Sequence, residues 1–181
     1  MSRSTSVFGS IFSPCIDHSS AKTVASDRPG TIAKLLEYGE TDTLCYRADP
    51  EDALYKHQQD EWEPLLSAVE QRHGIRFHRI SGVIHKSQPE DTMATIRSLL
   101  DGFDHFILAG LQNTASLSAS LCIGLETTGT ECDADNLWRL ASLEEEWQAD
   151  LWGRDEQAEA RRAQRGRAFV QACEFIRLAR A

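Results

Sequence analysis

From Pro29 to Arg180, glycine and proline cut the chain into segments whose apolar residues recur every three or four positions. That spacing restricts it to a fold built mainly from helices. A first helix is expected over residues 29–38, where Ile32, Leu35 and Leu36 share a face and Gly39 can end it. Residues 41–47 are short and mixed, either a strand or a tight connection. Asp49, Pro50 and Asp52 then offer a cap, a first-turn proline and acids at the positive end of a second helix, which runs to His73 ahead of Gly74. Leu54, Trp62, Leu65, Leu66 and Val69 are its apolar contacts, and Pro64, which lacks a backbone donor, is expected to kink or divide it. Residues 75–85 alternate polar and apolar as a strand does, and Ser87 with Glu90 makes a capping-box pattern ahead of a third helix over 89–100. The segment 104–125 carries little charge and reads as one central helix with Ile107, Leu111, Thr114, Leu117, Leu121 and Leu125 along its seam. Gly110, Ala115, Ser116, Ser118, Ala119, Ser120 and Gly124 keep much of its remaining surface small, so neighbouring helices can approach closely. The serines there read as packing residues, not nucleophiles. A last helix over about 155–180 starts acidic, passes through Arg161, Arg162, Arg165 and Arg167, and ends in Phe169, Val170, Cys173, Phe175 and Ile176, so its C-terminal half must dock on the core. The arginines read as a solvated or acid-pairing face. The expected class is mainly α: a bundle-like domain over residues 29–181, with a small two-strand element near 41–47 and 75–85, after a poorly ordered segment over 1–28.

The stretch LEEEWQADLWG, residues 143–153, carries the sharpest functional signal. A single helix capped by Asp133 and ended by Gly153 would place Leu137, Leu140, Leu143, Trp147 and Leu151 within an arc of about 120°, a core-facing stripe. Glu144 falls inside that arc, whereas Glu145 and Glu146 project toward water. A carboxylate on an apolar stripe needs a partner or a job. Two readings stand: a glutamate at the rim, snorkelling or paired with an arginine of a neighbouring helix, and a functional carboxylate.

With 41% hydrophobic and 26% charged residues in 181, the chain can bury one sizeable core. Its formal net charge of -9 argues against nucleic-acid and anionic-membrane partners, which recruit an excess of Lys and Arg. A protein or small-molecule partner is expected instead. No apolar run approaches the ~18 residues of a membrane helix, and no secretory h-region follows Met1, so export is not expected. The serine-rich start, with Arg3 alone before the first acid at Asp17, would also suit a mitochondrial transit peptide. Cys15, Cys45, Cys122, Cys132 and Cys173 are scattered without the paired spacing of a zinc site and read as reduced, mostly buried thiols.

Catalytic patterns are missing: no GxGxxG after a strand, no P-loop, no HExxH and no GxSxG. His18, His57, His73, His78, His85 and His105 never share a ligand-like spacing on one helix. The enzyme alternative is a magnesium-dependent nucleotide hydrolase drawing on Glu144, Glu145, Asp150, Glu156 and Glu159. It requires carboxylates that converge, and Glu144 and Glu145 point about 100° apart on a helix. A helical scaffold for some other protein partner is a third reading.

Four blocks carry a resemblance: LEYGETDTLCYRA (36–48), QDEWEPLLSAVEQRHG (59–74), LAGLQNTASLSASLCIGL (108–125) and LEEEWQADLWG (143–153). In this order and at these separations the chain resembles the Atp12 family over about residues 29–181. The resemblance implies a helical assembly chaperone, not an enzyme, that binds the unassembled alpha subunit of the F1 sector of ATP synthase until the beta subunit replaces it. It further implies no cofactor, nucleotide or metal, a monomer, and residence in a bacterial cytoplasm or, in a eukaryote, the mitochondrial matrix. The family's acidic residue in this helix falls on Glu144. Gln148 and Trp152 are carried over as partner-binding residues, and Trp62, Trp147 and Gly153 as positions equally suited to a structural role. Typical members have a strand-rich N-terminal domain where this sequence has its serine-rich segment.

Overall fold

The computed structural model describes residues 18–82 and 86–181. Over these the chain forms α1 (His18–Ser26), α2 (Arg28–Glu40), a 3-10 turn at Thr43–Cys45, β1 (Tyr46–Arg47), α3 (Ala53–His73), β2 (Ile80–Ser81), α4 (Glu90–Gly102), α5 (His105–Ser118), α6 (Leu121–Thr127), α7 (Ala134–Ala141), α8 (Leu143–Trp152) and α9 (Glu156–Ala179). The fold is mainly α, as the apolar spacing predicts. The strands pair in parallel, Tyr46 opposite Ile80 and Arg47 opposite Ser81.

α5 is the centre. Its Ile107, Leu108, Ala109, Gly110, Leu111, Thr114, Ala115 and Ser118 are buried, and α1, α2, α6 and α9 pack around it. The small residues act as expected: a Cβ built on Gly110 would overlap the Ile176 side chain of α9. Gly110→Ala should therefore destabilise the fold by about 1–3 kcal/mol through overpacking, although alanine is the better helix former. A lowered urea midpoint checks this, and an unchanged one would mean that α9 moves aside at no cost.

Caps set most boundaries. Asp27 accepts from the Gly30 amide at 3.0 Å, Asp52 from Leu54 at 2.9 Å and Asp155 from Ala158 at 2.7 Å, while Gly74 ends α3 at φ 65°. Several expectations are corrected. Pro50 precedes α3 and Asp52 is the cap. Pro64 neither ends nor divides α3; it lies on the exposed side, where water can satisfy the carbonyl it leaves free. The Ser87/Glu90 capping box does not form, because the N-cap of α4 is Pro89, which carries no acceptor.

The alternation over 75–85 yields only the two residues of β2, and residues 83–85 lie outside the described ones. Ile75 and Phe77 do turn inward, but the amides of Arg76, Phe77 and His78 go to the side chains of Thr92, Glu70 and Gln88, not to a neighbouring strand. The segment 104–125 is two helices. Ala119 takes φ 51°, its carbonyl accepts from the Thr43 amide and hydroxyl, and Ser120 caps α6 through the Ile123 amide. At the other end, the expected disorder of 1–28 does not extend over His18–Ser26, which is helical. Ala21 and Val24, three apart, are buried there, and α1 docks on α5. Docking, not propensity, holds so short a helix.

Candidate functional site

The helix expected to carry the glutamate run is also two helices. It breaks at Ser142, which leaves helical geometry at φ -101° and ψ 11° and whose hydroxyl bonds the Trp138 carbonyl. Leu137, Leu140 and Leu143 are buried as expected, but α8 then leaves the core. Trp147 is half-buried, Leu151 is 60% exposed and Trp152 is 79% exposed. The stripe is therefore core at one end and open surface at the other.

The three glutamates divide as the helical projection places them. Glu145 accepts from Arg165 at 2.5 and 2.6 Å, and Glu146 pairs with Arg154 at 3.0 Å and Arg162 at 2.7 Å. Both lie at the solvent-exposed surface, as expected, and there they clamp α8 to α9. Asp150 and Glu159 also pair with Arg154. These carboxylates thus diverge onto arginines, and among the described residues no group of three His, Cys, Asp or Glu is arranged to hold a metal ion.

Glu144 faces the other way, toward α3. Its Oε1 accepts from Gln58 Nε2 at 2.6 Å, while Gln58 Oε1 accepts from the Ala48 amide at 2.7 Å. Gln58 is fully buried and was not singled out from the sequence. Its signal was available: it lies one turn after Leu54 and one turn before Trp62, on the apolar seam of α3. Half-burial raises the Glu144 carboxyl above the usual glutamate range, against the Gln58 hydrogen bond and the charge of Arg47. Arg47 is itself committed, to the Leu44 carbonyl, Gln59 and Glu63, and it lies over the Trp62 ring at 5.1 Å. Glu144 is thus held by an amide and not by a salt bridge, which leaves a polarised acceptor half open to solvent.

The other candidates sit around it. Gln148 and Trp152 follow Glu144 at one-turn steps on α8 and line a cavity of about 250 Å³ between α8 and α9, together with Ala149, Gly153 and Ala158. Glu144 borders α3 instead, so the three share a helix face but two different grooves flank it. Trp147 stacks on His57 with centroids 5.3 Å apart. Trp62 is wholly buried and its Nε1 donates to the Leu140 carbonyl at 2.9 Å, joining α3 to the end of α7. Gly153 ends α8 at φ 98°, a conformation that favours glycine. No helix of the described residues is long and apolar enough to cross a membrane.

Comparison with known proteins points the same way as the four sequence blocks. Residues 4–70 match the family model of the ATP12 chaperone protein. The crystal structure of Atp12 from Paracoccus denitrificans superposes with a TM-score of 0.83 at 34% identity, over 88% of this chain and 69% of that one. A point mutant of the same bacterium's Atp12p gives 0.83 at 34% identity, over 88% and 68%. A mitochondrial atp12 protein of Schizosaccharomyces pombe is 24% identical over 155 residues, 82% of this chain and 53% of that protein. The chain thus spans about half the length of this curated relative.

Proposed function

The chain belongs to the Atp12 family, and from that premise we propose that it is an assembly chaperone for the F1 sector of ATP synthase, one that holds the unassembled alpha subunit until the beta subunit takes its place. The observation that carries this reading is the outer face of α8, where Glu144 accepts one hydrogen bond from Gln58 and the exposed Leu151 and Trp152 follow on the next turns. A subunit awaiting its partner exposes an apolar interface that aggregates unless covered. A chaperone for it needs apolar contact area and a few directional polar groups, with no covalent step. Leu151 and Trp152 supply the first. Glu144 supplies the second, accepting charge-assisted hydrogen bonds from an arginine or backbone amides of the client, with Gln148 as an adaptable neutral partner. The protein acts as a monomer and uses no nucleotide, metal or other cofactor.

The test is the aggregation of purified alpha subunit on dilution from denaturant, followed by light scattering without nucleotide. The full chain should suppress it in near-stoichiometric amount and leave beta-subunit aggregation unaffected. Equal protection of both subunits, or of neither, overturns the assignment, and magnesium-dependent phosphate release from a nucleotide would favour the hydrolase. Within the same assay Trp152→Ala should weaken capture about tenfold or more, the loss typical of an exposed aromatic anchor. Its own unfolding should shift by less than about 0.5 kcal/mol, since the ring packs on little else. Capture unchanged by Trp152→Ala would remove this residue from the client surface.

A further inference from the structure

Two thiols meet at the base of the α7–α9 contact. Cys132 lies in the connection between α6 and α7 and is half-buried, while Cys173 lies on α9 and is buried. The two helices run antiparallel in a register that other contacts define. Trp138 of α7 packs on Phe169 with centroids 5.7 Å apart, and its indole occupies the space beside Gly166, where a Cβ would lie 2.7 Å from Nε1. The Arg180 guanidinium at the far end of α9 donates to the Thr128 carbonyl, so residues 128 to 138 run alongside α9 from Arg180 back toward Phe169. That register brings Cys132 opposite Cys173. The interaction between the two thiols lowers the pKa of Cys132 and, with burial, raises that of Cys173, so the more exposed sulfur is the readier to ionise. Cys45 and Cys122, by contrast, have no exposed surface, and burial holds both thiols protonated.

We propose that Cys132 and Cys173 form a redox pair that closes into an intramolecular disulfide by exchange with a small-molecule disulfide of the glutathione class. The Cys132 thiolate attacks one sulfur of the oxidised reagent and expels a thiolate, leaving a mixed disulfide on Cys132. Cys173 gives up its proton, attacks the Cys132 sulfur and expels the second thiolate. Two protein thiols are oxidised and one reagent disulfide is reduced to two thiols. Cys132 belongs to no helix, so the connection can supply the final approach that an S–S bond of ~2 Å needs. The closed segment contains α7, α8 and most of α9, and with them Glu144, Gln148 and Trp152. Oxidation would staple the base of the hairpin that carries this face without covering it. The inference stands on the thiol geometry and is independent of the client.

The test takes the reduced full chain through a series of oxidised-to-reduced glutathione ratios, quenches with acid, alkylates and maps peptides by mass. The expected product is a Cys132–Cys173 cross-linked peptide within one chain, with Cys45 and Cys122 recovered as thiols. The unfolding midpoint should rise by roughly 5–10 °C for a closed loop of this size. Cys173→Ser should stop at a Cys132–glutathione mixed disulfide, whereas Cys132→Ser should leave Cys173 unmodified. Recovery of Cys132 and Cys173 as free thiols, as two separate glutathione adducts, or linked only between chains overturns the proposal. The mapping of the unsubstituted chain decides even where a serine variant fails to fold.

Discussion

Glu144→Gln is expected, on the proposed function, to lower alpha-subunit capture tenfold or more while leaving the protein's own stability unchanged or slightly higher. The reason lies in how the carboxylate is held. Burial raises its pKa above the ordinary glutamate value of 4.5, and the Gln58 hydrogen bond and the Arg47 charge only partly oppose this. A carboxyl whose pKa is higher in the fold than in the unfolded chain binds its proton more readily when folded. Its favourable contribution is therefore fully present below the unfolded pKa and is lost as pH rises through the folded one. At pH 7 the ionised side chain is a small net cost to folding, reduced by its contact with solvent. Glutamine removes that cost and keeps a carbonyl for Gln58 Nε2, so stability should rise by less than about 1 kcal/mol. The stabilisation that Glu144 gives the native protein as pH falls toward 4.5 should be missing in the variant. On the proposed function, capture should depend on the charge that folding disfavours, because an anionic acceptor binds an arginine or amide roughly twice as strongly as a neutral one. Paired measurements of urea unfolding and alpha-subunit capture decide the matter. A folded Gln variant with normal capture excludes a charge-dependent role, and a variant that loses stability marks Glu144 as a structural anchor.

Asp42→Ala should be the most damaging single change to the fold, by about 3–5 kcal/mol. The side chain has no exposed surface, yet it satisfies two separate chain segments. One oxygen accepts from the Leu44 amide at 3.0 Å and starts the 3-10 turn; the other accepts from the Cys122 amide at 2.8 Å in the first turn of α6. Burial raises the pKa of this carboxyl, and these hydrogen bonds hold it back. Alanine would strand two buried amides, each costing about 1–3 kcal/mol, and leave a cavity. Asp42→Asn retains one strong acceptor and should cost about half as much. The check is chemical denaturation of both variants. Equal midpoints for Ala and native protein would mean that water enters and replaces the carboxylate.

The role of Asp42 could not be read locally. Within the TDTLCYRA block it looks like an ordinary turn residue, and its second partner lies 80 positions away. Glu144 was legible as an anomaly, since helical projection alone puts it on an apolar stripe, but its partner Gln58 is 86 positions distant. Gln58 could have been flagged by the same test, as a polar residue between Leu54 and Trp62 on a seam. The acids at 145 and 146 face water as projected, but projection of a single helix has no place for α9, whose Arg162 and Arg165 pair with them.

By itself the sequence determined the helical class, the end of α3, the bounds of α9, the smallness of α5 and, through four blocks in fixed order, the family, while α2 runs through Gly39, expected to end it, to Glu40. These are short-range properties: a cap, a left-handed glycine or an i,i+4 stripe is satisfied within a few residues, so its signal is local. The tertiary structure alone decided the breaks at Ala119 and Ser142, the docking of α1 and the shrinking of a strand-like run to two paired residues. Only there, too, does α8 leave the core with Leu151 and Trp152 exposed. Where a partner can be named, the local alternatives differ by little energy and the balance is tipped by a group outside the element: Thr43 at the Ala119 carbonyl, α5 beneath α1, and Glu70, Thr92 and Gln88 at amides that a sheet would otherwise have taken.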